Sequence, residues 1–144
     1  MSTGKTERSS IERVRVCLAE PGDVDYVRGL SKRLFRQYGP YEEMVTRWFN
    51  SGVTVTLLAS TEKRPAGFVM LGRLAHPFYL PIVSEVLAIA VDPARWTCGI
   101  GHLLMKEIEK RARQLGVETL VLHTATDNVL GQRLFTKCGF VSCE

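Results

Sequence analysis

With 144 residues, 45% of them hydrophobic, and a net charge of +4, the chain is sized for one domain that buries a core of its own. No apolar run reaches the roughly 18–20 residues that cross a membrane, and neither a secretory signal nor a helix-turn-helix or basic-aromatic pattern is visible, so membrane and nucleic acid are not expected partners. The four cysteines, Cys17, Cys98, Cys138 and Cys143, make no C-x-x-C pair, so they read as reduced thiols of a cytoplasmic protein, with no metal site and no disulfide framework.

Residues 1–10 are small and polar and read as a flexible tail, leaving residues 11–144 as the domain. Val14, Val16 and Leu18 alternate with polar residues, which predicts a strand. Val24, Val27, Leu30 and Leu34 share a helical face until Gly39-Pro40 breaks it; Met44, Val45, Trp48 and Phe49 mark a second short helix over residues 41–50. Residues 53–59 and 67–74 read as a hairpin around a polar turn at residues 61–65. Residues 84–91 are apolar on both faces, as in a central strand. A helix is expected over residues 101–115, closed by Gly116. Residues 118–123 read as a strand buried on both faces. Thr126 or Asp127 is expected to cap a helix over residues 128–137, and Phe140 to Cys143 to begin a strand. The order βααβββαβα plus a strand fragment describes an α/β (α+β) domain with a mixed sheet.

The sharpest feature is the junction V-L-A-I-A-V-D-P-A-R-W-T-C-G-I-G, where a strand meets a short loop and then a helix. A glycine loop at a helix N-terminus binds phosphate through backbone N–H groups. Two phosphate loops fail the test. The dinucleotide fingerprint needs a third small residue where Leu104 stands, and the nucleoside-triphosphate loop needs a lysine that does not follow Gly101.

A third pattern matches. The strand, Asp92-Pro93, Arg95, Gly99-x-Gly101 and the following helix resemble motif A of the GNAT family of N-acetyltransferases. Downstream, Asn128, Gly131, Leu134, Phe135, Gly139 and Phe140 fall on that family's motif B, written N-x-x-A-x-x-L-Y-x-x-x-G-F. The resemblance extends over about residues 13–143 and implies a mostly antiparallel sheet with a central parallel pair, flanked by helices. It also implies acetyl-CoA as cofactor. The pyrophosphate would lie on the amides of Thr97, Cys98, Gly99, Ile100, Gly101 and His102, with Arg95 beside it. The pantetheine would pair with the splayed strand at Leu87, Ala88, Ile89, Ala90 and Val91, supported by Asn128 and bordered by Phe135. Gly101 would clear the backbone's approach to the pyrophosphate.

The implied reaction is acetyl transfer to a primary amine by direct attack in a ternary complex, with no covalent enzyme intermediate. The acceptor is an amine of unspecified identity. Glu85 reads either as the base or as a surface glutamate at a strand end. His123 and Tyr79 are candidates for the acid that protonates the leaving thiolate, His123 reading equally as a packed histidine, and His76 is a candidate for the acceptor pocket. Two departures stand out: Phe135 replaces the family's tyrosine acid and has no proton to donate, and Trp96 replaces an arginine or glutamine. Phe135 and the short C-terminus leave a second reading open, a non-catalytic CoA-binding or interaction module. The family's last strand is also missing, so an exposed sheet edge is expected to pair with a second copy of the chain or leave it marginally stable.

Overall fold

An alternating segment and four largely apolar, β-branched runs become five strands that lie in chain order across one sheet: β1 (Val14–Leu18), β2 (Val55–Thr61), β3 (Arg64–Leu71), β4 (Val83–Val91) and β5 (Thr119–Leu122). Among the described residues four α-helices accompany them: α1 (Val24–Phe35), α2 (Tyr41–Asn50), α3 (Ile100–Gln114) and α4 (Val129–Lys137). The computed structural model describes residues 13–62, 64–72, 83–125 and 127–142, without the side chains of Thr97 and Cys98. Strands β1 to β4 are antiparallel neighbours, and β4–β5 is parallel because α3 crosses over between them.

Each face of the sheet carries its own core. Val69, Leu71 and Val86 meet Leu104, Ile108 and Phe135 on the side of α3 and α4. Phe68, Met70, Ala88 and Ala90 meet Val27, Leu30 and Val45 on the side of α1 and α2. The central strand is therefore covered twice, as its composition predicts. Among the described residues, no helix is long and apolar enough to cross a membrane.

The β2–β3 hairpin is tighter than its sequence suggests: Thr61 already pairs with Arg64. Glu62 turns the chain at φ 50, and a register shift at Ala59/Ser60 accommodates Pro65, which lacks an N–H for the ladder. Strand β5 is shorter than expected and is not buried on both faces. Leu120 and Leu122 pack on the α3 side, while Thr119 and Val121 are exposed, because α1 and α2 cover β2 to β4 and stop short of it. The strand expected from Phe140 does not form over residues 140–142, and Cys143 lies outside the described residues. Instead, Phe140 N–H donates to Phe135 O at 3.0 Å, and the two rings meet edge-on at 6.3 Å. The described sheet thus ends at β5.

Candidate functional site

Strand β4 outruns its parallel neighbour. Pairing with β5 covers Val83 to Val86, opposite Thr119 to Leu122, and then stops. Residues 87–91 continue with a partner on the β3 side only. A register shift at Met70/Leu71 lies opposite this point, and such irregularities increase local twist. Asp92 N–H donates to Ala66 O at 2.8 Å, so antiparallel alternation turns the main chain of Ala88 and Ala90 toward β3 and that of Ile89 and Val91 toward the open edge. Trp96 confirms the direction: its indole Nε1–H donates to Val91 O at 2.7 Å. The edge keeps the N–H and C=O of Ile89 and the N–H of Val91. Below it lies a cleft of about 290 Å³ lined by Leu87, Ala88, Ile89, Leu122, Asn128 and Phe135, among others.

The far end of β4 runs into the glycine loop. Asp92 accepts from Ala94 N–H at 3.1 Å through its side chain and from Arg95 N–H at 2.8 Å through its carbonyl, opening a 3-10 turn over Pro93–Cys98. Gly99 then adopts φ 77, a left-handed conformation that an added Cβ would strain although it would meet nothing within 4 Å. The first helical bond of α3 runs from Leu103 N–H to Gly99 O at 3.1 Å. The amides of Ile100, Gly101 and His102 therefore have no intrahelical partner and sit at the positive end of the helix dipole. Arg95 is half-buried in the turn, and Thr97 and Cys98 follow it there. Ile100 is buried, so it offers only its backbone.

Gly101 lies against α4. A Cβ there would lie 3.1 Å from Leu134 Cδ2 and 3.7 Å from Val91 Cγ2. Its bare face is turned to α4, not to the loop's mouth. Gly99 makes the turn, and Gly101 lets α3 approach α4. The helix cap also differs: Asn128, not Thr126 or Asp127, accepts from Gly131 N–H at 3.1 Å, while its Nδ2 donates to Thr124 Oγ1 at 3.1 Å. Cγ of that amide lies 2.8 Å from where a Gly131 Cβ would stand, so the glycine in the family's alanine position makes room for the folded-back side chain.

The structure joins two of the catalytic candidates. Parallel pairing sets Glu85 beside Val121, and His123 follows two residues on, on the same face. His123 Nδ1 lies 3.0 Å from Glu85 Oε2. His123 lines the cleft and is largely exposed; Glu85 is partly so. Tyr79 and His76 lie outside the described residues. Phe135 is 9% exposed, shared between the α3–α4 core and the cleft wall.

Other members of the site have little signature in the sequence. Phe35, Tyr38 and Tyr41 wall the cleft from the α1–α2 side; their only sequence signal is clustering around the Gly39-Pro40 break. Near Asp92, burial first and then the Asp92 carboxylate push the Tyr26 phenol up to about 12, with Arg33 partly opposing. Tyr26 Oη is buried without a partner, while Arg33 and Asp92 lie 3.9 Å apart. Cys138 Sγ stands 3.6 Å from His102 Nδ1, but burial and Glu109 push its thiol up despite Lys106, which keeps it protonated rather than nucleophilic.

Comparison with known proteins agrees with this geometry. The acetyltransferase (GNAT) family pattern matches residues 25–140. The chain belongs to the GNAT family. Mycothiol acetyltransferase of Sanguibacter keddieii is 35% identical over 94 residues, 65% of this chain and 29% of that protein. The mycothiol acetyltransferase of Nocardia farcinica is 30% identical over 94 residues, 65% of this chain and 30% of that protein. The match thus spans less than a third of the length of these curated relatives. Aminoglycoside N-acetyltransferase AAC(6')-Iy in complex with CoA superposes with a TM-score of 0.75 at 16% identity, covering 92% of this chain and 90% of that one. Ribosomal-protein-alanine N-acetyltransferase from Brucella melitensis gives 0.75 at 18% identity, covering 90% and 93%. At these identities the superpositions establish a GNAT fold and leave the substrate open.

Proposed function

We propose that this GNAT chain is an N-acetyltransferase that uses acetyl-CoA and passes the acetyl group directly to a primary amine held beside it. The observation that carries the reading is a cleft that has the unpaired β4 edge on one side and His123, bonded to Glu85, on its rim, with β4 running on into the amides at the start of α3. These residues fit acetyl-CoA by their chemistry. Ile100, Gly101 and His102 offer first-turn N–H groups, without an α-helical partner in α3, to a pyrophosphate, with the charge of Arg95 in the turn before them. Ile89 and Val91 offer strand-like donors and an acceptor to an amide-bearing arm, as an added strand would use them. Asn128 and Phe135 border that arm.

When bound, acetyl-CoA supplies an acetyl group activated as a thioester. The chain's own task is to orient the amine and take its proton. Glu85 Oε2 accepts the proton as the amine becomes nucleophilic; His123, donating Nδ1–H to that oxygen, holds the carboxylate in place, and the part-exposed Glu85 returns the proton to water after transfer. Phe135 has no proton to give and closes the end of the cleft by packing. Reduced Cys17 and Cys138 are in keeping with a cytoplasmic enzyme.

Thiol release from acetyl-CoA in the presence of an amine panel tests the proposal. Amine-dependent release supports it. A second reading, a CoA-binding module without turnover, is favoured by Phe135 in the tyrosine position; stabilisation by CoA with no thiol release from any amine selects it.

A further inference from the structure

The acceptor end of the cleft has a definite chemical character. Its wall on the α1–α2 side is Phe35, Tyr38 and Tyr41, and Phe35 and Tyr41 are already paired edge-to-face, with centroids 5.8 Å apart at 61°. Leu87 continues this surface onto β4, where it packs with the same cluster. No Asp, Glu, Lys or Arg lines the cleft among the described residues. Among the described residues, the carboxylate of Glu85 meets the cleft through its bond to His123. The acids nearest in sequence to the aromatic wall, Glu42 and Glu43 on α2, do not line it, and exposed Arg36 stands between Phe35 and Tyr38. The sequence of residues 73–82, which joins β3 to β4, contains no acid either.

A polycation would bring several ammonium groups to a surface with one anion. Each further charge would lose hydration without gaining a partner, against the positive field of a chain with net charge +4. A single ammonium beside an aromatic or apolar group meets what is present: one carboxylate and a preformed ring surface for edge-to-face contact and cation–π attraction.

Resting on the acetyl-transfer reading, we infer that the acceptor is a monoamine whose amino group is carried next to an aromatic or apolar group, and not a polyamine or an aminoglycoside. The wall of Phe35, Tyr38 and Tyr41 selects it.

The test compares phenethylamine, spermidine and kanamycin as acceptors by kcat/KM, together with saturation-transfer NMR of each amine on the CoA-loaded protein. Phenethylamine is expected to exceed the other two by at least about tenfold. Tyr41→Ala is expected to remove about tenfold of that preference and Tyr41→Phe to retain it, with CoA affinity unchanged. Tyr38→Ala provides the same comparison should Tyr41→Ala fail to fold. Equal or better use of spermidine or kanamycin overturns the inference. If no amine is acetylated although CoA binds, the acetyl-transfer reading falls, and NMR decides the inference separately. Saturation transfer to the phenethylamine ring that weakens in the alanine variant sustains it; kanamycin or spermidine binding, or no amine binding at all, overturns it.

Discussion

Substituting Gly101 by valine separates a packing glycine from a ligand-binding one. Its Cβ would stand 3.1 Å from Leu134 Cδ2, where carbon atoms prefer roughly 3.5–4.0 Å, and 3.7 Å from Val91 Cγ2. The two added methyl groups would press further into that contact. Overpacking of this kind costs about 1–3 kcal/mol, and the better helix propensity of valine over glycine returns only a few tenths. In a domain of this length that is a Tm drop of roughly 3–10 °C. The amide of Gly101 is unchanged, so CoA affinity should stay within about threefold of the parent. Urea melts and calorimetric CoA titrations on the same samples read both quantities. Leu134→Ala in the same chain makes room, so the double variant should be more stable than the two single losses predict, by a coupling of about 0.5–3 kcal/mol. A Gly101→Val protein of parental stability that no longer binds CoA would refute the reasoning and return Gly101 to the phosphate's approach path.

Glu85→Gln keeps the shape but not the proton acceptor: kcat should fall about 10²- to 10⁴-fold. Because the pair with His123 is largely solvated, stability should move by less than about 1 kcal/mol and CoA affinity should not change; unaltered kcat would remove Glu85 from the chemistry. Tyr26 holds its proton more tightly folded than unfolded, so its contribution is complete below its ordinary value of 10.0 and is lost as pH rises through about 12. Tyr26→Phe should therefore flatten the alkaline decline in that window and, by removing a buried hydroxyl without a partner, leave neutral stability unchanged or improved. Denaturant melts at a series of alkaline pH values check this. Phe135→Tyr places a hydroxyl at the cleft wall; turnover should hold or rise with under about 1 kcal/mol of stability change, and a several-fold loss of rate at constant CoA affinity would show that the bare ring is required.

The helices and the central strand are legible in the sequence because local periodicity and burial agree. Leu104, Ile108 and Ala112 recur at helical spacing and all reach the core. Strand ends are less so: Pro65 and the polar run before it suggest a wide turn, while Glu62 accepts a left-handed conformation and a bulge absorbs the proline. The apolar run of β5 does not announce that one face lacks a helix above it. Phe140 reads as a strand start, yet its ring has a partner in Phe135 one helical end away. At the site, the loop, β4 and Asn128 are readable from motif spacing. The roles of Gly101 and Trp96, and the wall of Phe35, Tyr38 and Tyr41, are not, because each depends on an element elsewhere in the fold: Leu134 for the glycine, the open β4 edge for the indole, the β4–β5 splay for the aromatic rings.

In the proposed complex CoA lies along the β4 edge with its phosphates on the start of α3. Residue-resolved amide hydrogen exchange with and without saturating CoA tests it most directly. Protection should rise at Ile89, Val91, Ile100, Gly101 and His102 and stay unchanged in β1 and β2. Saturating CoA that leaves those five amides as exposed as before, or protects a different surface, would rule out CoA on the β4 edge.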